Sequence, residues 1–161
     1  MRYWLGLGAN LGDRRATIDA AIARLGRDHE VEATSRFYET APRELTDQPA
    51  FVNAAVRVVS PLSPPELLAS VKRLERDLGR EPEGVRFGPR AIDCDLLLWE
   101  GGVWRDDSLE VPHPRLAERR FALLPLLDLD PELTLPDGRR LADVESALDP
   151  VQQPALRMPE I

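Results

Sequence analysis

GPRAIDCDLLLWE, residues 88–100, is the stretch that closes the fold. It reads as a strand in which Ile92, Cys94, Leu96 and Leu98 alternate with Asp93, Asp95, Leu97 and Trp99. Side chains two apart point to the same face, so the two aspartates stand side by side, about 7 Å apart at Cβ for a rise of roughly 3.3 Å per residue. Like charges on one face of an apolar strand repel, and burying them is costly. A solvated face would account for the pair, yet Leu97 and Trp99 continue that face. A hard cation would also resolve the conflict. Mg²⁺ takes oxygen ligands, usually one or two carboxylates with phosphate oxygens and water, and two ions about 3.5–4 Å apart can share such a pair.

Working outward from this strand, the chain alternates elements in a definite order. RYWLGLG (2–8) alternates as a strand with Tyr3, Leu5 and Leu7 on one face. DRRATIDAAIARLG (13–26) is helical, with a stripe of Ile18, Ala21, Ile22 and Leu25 and Gly26 as its C-terminal cap. VEATSRFYE (31–39) reads as one strand, residues 40–49 as a loop, and AFVNAAVRVV (50–59) as the next strand. Ser63, Pro64 and Glu66 start a second helix as cap, first position and capping-box partner. Leu67, Leu68, Val71, Leu74 and Leu78 form its buried stripe and Gly79 ends it. REPEGVRFGPR (80–90) is a polar loop leading into the aspartate strand.

The resulting order, β-α-β-β-α-β, predicts an α+β fold. It is a ferredoxin-like core, a mostly antiparallel sheet with helices packed on it. After it, residues 101–106 read as a turn into a short strand, 114–129 as a helix interrupted by Pro125, and 149–161 as a fraying tail.

Composition narrows the function. The 161 residues suit one domain, 1–161, with a real core. Net charge is −7, which disfavours non-specific nucleic-acid binding. Lys72 is the only lysine, so the positive charge is almost all arginine, whose planar fork suits phosphate. Cys94 is the only cysteine, which allows no internal disulfide. No membrane span or signal peptide is legible, and the expected location is cytoplasmic.

Several clusters have a chemical reading beside a structural one. GLGANLG (6–12) spaces its glycines unlike a dinucleotide fingerprint; they serve a tight turn, or Asn10 has a local polar role. No G-x-x-x-x-G-K-[ST] is present, which removes a P-loop. Arg80, Arg86 and Arg90 precede the aspartates, as expected for a polyphosphate–Mg²⁺ substrate or for ordinary surface arginines. His113, between two prolines in VPHPRLAERRF (111–121), contacts a phosphate or holds a turn. With only two histidines and one cysteine, a zinc site lacks its ligands. Phe51 and Asn53 share a strand face and suit a flat heterocycle, or pack in the core.

Five ordered blocks, GLGANLGD, SRFYETAP, DQPAFVNAAV, RFGPRAIDCDLLL and VPHPRLAERRFALLPL, resemble the 6-hydroxymethyl-7,8-dihydropterin pyrophosphokinase family over roughly residues 2–138. The resemblance implies a ferredoxin-like fold and transfer of the pyrophosphoryl group of ATP to the pterin's hydroxymethyl oxygen, with release of AMP, in folate biosynthesis. Asp93 and Asp95 match two aspartates that hold paired Mg²⁺ ions. Arg80 and Arg90 match catalytic arginines. Lys72, Glu75, Arg80, Arg90, Leu96, His113 and Arg119 match positions around ATP. Thr40, Ala41, Pro42, Arg43, Phe51, Asn53 and Phe121 match the pterin pocket, with the two phenylalanines as its aromatic walls. The implied partners are these two small molecules only, with neither nucleic acid nor membrane, and a monomer is expected.

Departures from the resemblance are confined. Phe87, Phe51 and Lys72 stand where enteric members carry tryptophan, tyrosine and glutamine, and Glu81-Pro82-Glu83 is acidic where they are basic. That last segment is the motive for a rival, a non-catalytic pterin- or nucleotide-binding relative.

Overall fold

The computed structural model describes residues 1–40, 50–79 and 92–159. Its elements are β1 (Arg2–Ala9), α1 (Arg14–Asp28), β2 (Glu30–Thr34), β3 (Tyr38–Thr40), β4 (Phe51–Val59), α2 (Pro64–Leu78) and β5 (Asp93–Trp99). Two short strands, β6 (Trp104–Arg105) and β7 (Glu110–Val111), pair with each other. A 3₁₀ turn (Leu116–Glu118), α3 (Arg120–Leu129), α4 (Leu141–Ser146) and β8 (Ala155–Arg157) complete the chain.

β1 pairs antiparallel with β4 on one side and β5 on the other. β2 and β3 both pair antiparallel with β4, along different halves of it. Taken as one interrupted strand, they give the order β5-β1-β4-β2/β3, the ferredoxin-like arrangement expected from the sequence. The single strand expected at 31–39 is broken at Ser35. Its hydroxyl accepts the Ala55 N–H at 2.8 Å and donates to the Arg36 carbonyl at 2.7 Å, so a side chain replaces a ladder bond there.

Strand alternation then makes two different layers. Tyr3, Leu5 and Leu7 face α1 and α2 and pack with Ile18, Leu25, Leu67, Val71, Leu74, Cys94 and Leu96. The opposite face presents Trp4, Ala55, Leu97 and Leu98 to Leu116, Leu123, Leu126 and Leu141. The second layer does not extend over the whole sheet, and the uncovered end is the cleft described below.

Four local expectations are corrected. The register of β1 and β5 shifts between Trp4 and Leu5, where Leu5 pairs with Leu96 and Trp4 with Leu98. This bulge moves Leu98 to the α3 side and turns Trp99 to the first layer, stacked on Tyr3 with ring centroids 6.5 Å apart. The expected alternation therefore fails at its last two positions, and Trp99 does not share the aspartate face. Helix α1 runs past Gly26 to a cap at His29, because Gly26 meets no break in the helical bonding; the His29 N–H still reaches the Leu25 carbonyl at 2.7 Å. The interruption expected at Pro125 falls instead at Arg119, between the 3₁₀ turn and α3, and α3 continues through Pro125.

The fourth correction concerns the tail. Residues 155–157 do not fray but form β8 on the free edge of β3, with Tyr38 opposite Arg157 and Thr40 opposite Ala155. Asp128 fixes this edge: it accepts from the Tyr38 hydroxyl at 2.9 Å and pairs with Arg157 at 3.4 Å. Among the described residues no helix is long and apolar enough to cross a membrane.

The start of α2 matches its sequence signals. Ser63 accepts the Glu66 N–H, and the Glu66 carboxylate accepts the Ser63 N–H at 2.9 Å, which holds Glu66 below the usual carboxylate pKa range. Ser63→Ala is expected to lower unfolding free energy by about 1 kcal/mol. Urea titration of the two proteins checks this, and an unchanged midpoint would show that the cap contributes nothing.

Candidate functional site

Asp93 and Asp95 lie at the start of β5, and their neighbours across the sheet explain why a cleft opens above them. Gly8 pairs with Asp93 on one side and Asn53 on the other; Gly6 pairs likewise with Asp95 and Ala55. Residues directly opposite one another share a face. The floor therefore runs from carboxylate, across bare backbone, to amide. A cleft of about 350 Å³ stands over it. It is bounded by Thr40, Phe51, Asn53 and Leu97 below and by Arg115, Arg119, Phe121 and Ala122 above, with Gln152, Gln153 and Pro154 along one side.

The glycines GLGANLG places at 6 and 8 are thus strand positions, which corrects the turn reading for them. A Cβ on Gly8 would lie 2.9 Å from Asn53 Oδ1, and one on Gly6 would lie 3.0 Å from Leu97 Cδ1. Only Gly12, with φ of 58°, serves the turn into α1.

Two walls are set by short polar contacts. Asn53 Nδ2 donates to Thr40 Oγ1 at 2.6 Å, and both residues are buried. This fixes the amide orientation and aims Oδ1 over Gly8. On the opposite wall the Arg119 guanidinium lies 5.6 Å from the Phe121 ring centroid, a cation–π contact that sets both side chains. Phe51 and Phe121 face the same space from β4 and from the first turn of α3.

His113 lies beside this site rather than in its lining. Its N–H donates to the Leu97 carbonyl at 3.0 Å, tying the VPHP segment to β5. Its Nδ1 accepts the Arg115 N–H at 3.1 Å, which places the ring proton of the neutral form on Nε2. Burial lowers its pKa from the ordinary histidine value; Asp95 opposes that shift, and Arg119 and Arg115 reinforce it.

The structure divides the remaining sequence-predicted residues. Lys72, Glu75 and Leu96 lie on the α2 side of the sheet. Lys72 Nζ pairs with Glu75 Oε1 at 2.8 Å, while Glu75 Oε2 accepts the Cys94 N–H at 3.3 Å. Leu96 is only 3% exposed within the first hydrophobic layer. These three do not line the cleft. Ala41, Pro42, Arg43, Arg80 and Arg90 lie outside the described residues.

Residues not assigned from sequence also line the cleft. Gly6 and Gly8 carried a usable signal, since they occupy the strand face opposite Tyr3, Leu5 and Leu7. Arg115 was visible only as one arginine of a run. Gln152, Gln153 and Pro154 offered no pattern at all.

The donor set favours a hard cation. Among the described residues no group of three or more histidine, cysteine, aspartate or glutamate side chains is placed to hold a metal. Asp93 and Asp95 supply two carboxylates on an open floor. That fits Mg²⁺, which completes its shell with phosphate and water, and fits zinc poorly.

The family model described as 7,8-dihydro-6-hydroxymethylpterin-pyrophosphokinase matches residues 4–131. The chain belongs to this pyrophosphokinase family. It is 39% identical over 137 residues to 2-amino-4-hydroxy-6-hydroxymethyldihydropteridine pyrophosphokinase of Aquifex aeolicus, covering 85% of each chain. A Methylorubrum extorquens relative of the same name is 38% identical, covering 92% of this chain and 94% of its own. The mitochondrial folate synthesis bifunctional protein of Pisum sativum is 46% identical over 127 residues, 78% of this chain. The chain spans about a quarter of the length of that protein and of its Arabidopsis thaliana counterpart, 24% and 26%. The fold is shared with a solved HPPK-DHPS structure in complex with substrates, at a TM-score of 0.72 and 14% identity, covering 91% of this chain and 42% of that one.

The glycine floor can be tested by its stability. Gly8→Ala is expected to lower stability by roughly 1–2 kcal/mol, because the new methyl group pushes Asn53 off Thr40. In an Asn53→Ala background the same change should cost much less. Denaturant unfolding of the four proteins gives the coupling, and additive losses would show that Gly8 and Asn53 do not crowd each other.

Proposed function

We propose that this protein transfers the pyrophosphoryl group of ATP to 6-hydroxymethyl-7,8-dihydropterin, giving AMP and the pterin diphosphate in folate biosynthesis. The observation that carries the reading is one floor shared by a carboxylate pair and an oriented amide, with a phenyl ring at each wall. Asn53 and Thr40 present hydrogen-bonding groups to the polar edge of a flat heterocycle, and Phe51 and Phe121 flank its faces. The heterocycle's hydroxymethyl arm then extends along Gly8 towards Asp93 and Asp95.

The aspartates would hold Mg²⁺, which when bound neutralises phosphate charge and polarises the P–O bonds. Arg115 and Arg119 supply fixed positive charge at the cleft mouth, suited to triphosphate oxygens despite the net charge of −7. His113, beside the cleft, joins this reading through the family resemblance; its neutral ring carries its proton on Nε2. Arg80 and Arg90 join this reading through their place in the sequence.

The bond changes are simple. The hydroxymethyl oxygen attacks the β-phosphorus, the α,β-bridging oxygen leaves with AMP, and the hydroxyl proton passes to solvent. The residues named here orient and neutralise the reactants, and orientation with charge stabilisation accounts for most catalysis of phosphoryl-type transfer.

AMP formation from ATP, Mg²⁺ and the hydroxymethylpterin tests the proposal directly, and a wild-type protein that forms none would overturn it. Asp95→Ala is expected to abolish AMP formation while unfolding stays cooperative. Near-normal turnover in that variant would sink the metal assignment. Phe121→Ala is expected to raise the pterin KM about tenfold or more, from the roughly 1–3 kcal/mol that an aromatic platform gives a stacked base. An unchanged pterin KM would place the heterocycle elsewhere.

A further inference from the structure

The tail residues at the side of the cleft lie beyond the stretch matched to the family, residues 4–131. They make an unusual set of contacts with the first turn of α3. That helix begins at Arg120, and Arg119 at its N-cap position makes no side-chain capping bond. The first N–H groups of a helix have no partner within it. Gln153, 33 residues away in sequence, supplies one: its Oε1 accepts the Arg120 N–H at 2.9 Å. Its Nε2 donates to the Glu118 carbonyl at 3.0 Å, and its own carbonyl accepts from Arg120 Nη1 at 3.0 Å. Arg120 is held from the far side by Glu145, Nε to Oε1 at 2.9 Å.

One side chain therefore spans residues 118 and 120 and brackets Arg119, with Phe121 next in line. Its anchor is equally specific. Two residues further on, Ala155 is in register with Thr40, the partner of Asn53. The tail thus connects the wall carrying the oriented amide to the turn that leads into the wall carrying the phenyl ring.

We propose that Gln153 is a positioning residue for the heterocycle: it caps α3 from a distant element and so fixes Phe121 and Arg119 over the cleft. This rests on the pyrophosphokinase reading for its substrate, but not for its geometry. Losing the amide frees the first turn of α3 and lets the aromatic wall drift from Phe51. The chemistry at Asp93 and Asp95 is not touched.

The test compares wild type, Gln153→Ala and Gln153→Glu in the full chain. Gln153→Glu keeps an acceptor for the Arg120 N–H and loses the donor to Glu118. In Gln153→Ala the pterin KM is expected to rise about tenfold, the scale of a lost helix cap, with kcat little changed. Amide hydrogen exchange over residues 118–123 should accelerate, and Gln153→Glu should fall between the two proteins in both readouts. A pterin KM unchanged in Gln153→Ala, whatever the melting temperature, overturns the proposal, because a purely structural residue would change only stability. If Gln153→Ala does not fold, Gln153→Glu carries the same criterion. If wild type forms no AMP, the reading of the reaction fails; amide exchange still decides the geometry, and unchanged exchange at 118–123 would refute it.

Discussion

Gly8 lies between Asp93 and Asn53 in the sheet, and Gly6 between Asp95 and Ala55. This row of backbone without side chains is the constraint on which the site depends. Any side chain at Gly8 would meet Asn53 Oδ1 at 2.9 Å and stand between the amide and the carboxylate. A sheet face normally buries its alternate residues against a covering layer. Here the cover of α3 stops short, and the exposed part of the face is a floor. A ligand can then lie across three strands and touch groups of different chemistry at its two ends. The antiparallel register sets the distance between those ends, so the sheet itself acts as the ruler.

The same arrangement explains how two aspartates are tolerated on a strand whose other side chains are mostly buried. Asp93 is exposed and Asp95 half-buried, so water still solvates the pair. The bulge at Leu97 matters in the same way. It sends Trp99 to the far layer against Tyr3 and leaves Leu97 beside the carboxylates as the last apolar residue of the floor. Arg115 and Arg119 lie within the same cleft, so the local field differs from the acidic average of the chain. The net charge of −7 describes the chain as a whole and not this pocket.

Most of the architecture was legible because its signals are local. The alternation of Tyr3, Leu5 and Leu7, the stripe of α1 and the capping box at Ser63 each depend on residues within a few positions. Phe51, Asn53, Asp93 and Asp95 were legible for the same reason: pairs two apart must share a face. What failed was non-local. The bulge is a property of two strands in register, and neither sequence shows it alone. The break at Ser35 needs the Ala55 N–H, and α3 tolerates Pro125 because tertiary packing of Leu123 and Leu126 outweighs one missing bond. Leu96 lies with Cys94 on the core side, as alternation along the strand predicts.

The tail shows most clearly why composition misleads. Its prolines and polar residues read as a frayed end, and no periodicity contradicts that. Yet β3 is short and would otherwise leave an unpaired sheet edge, and β8 covers it. Once that edge is paired, Gln153 has a fixed position and can act on α3 as a cap would. Arg157 reinforces the arrangement by lying over the Tyr38 ring, 5.9 Å from its centroid. The aromatic wall and the amide wall are therefore not independent features that happen to face each other. The amide wall meets β8 through Thr40, and the first turn of α3 meets Gln153 two residues before β8, so the proposed role of Gln153 depends on the same edge pairing that covers β3.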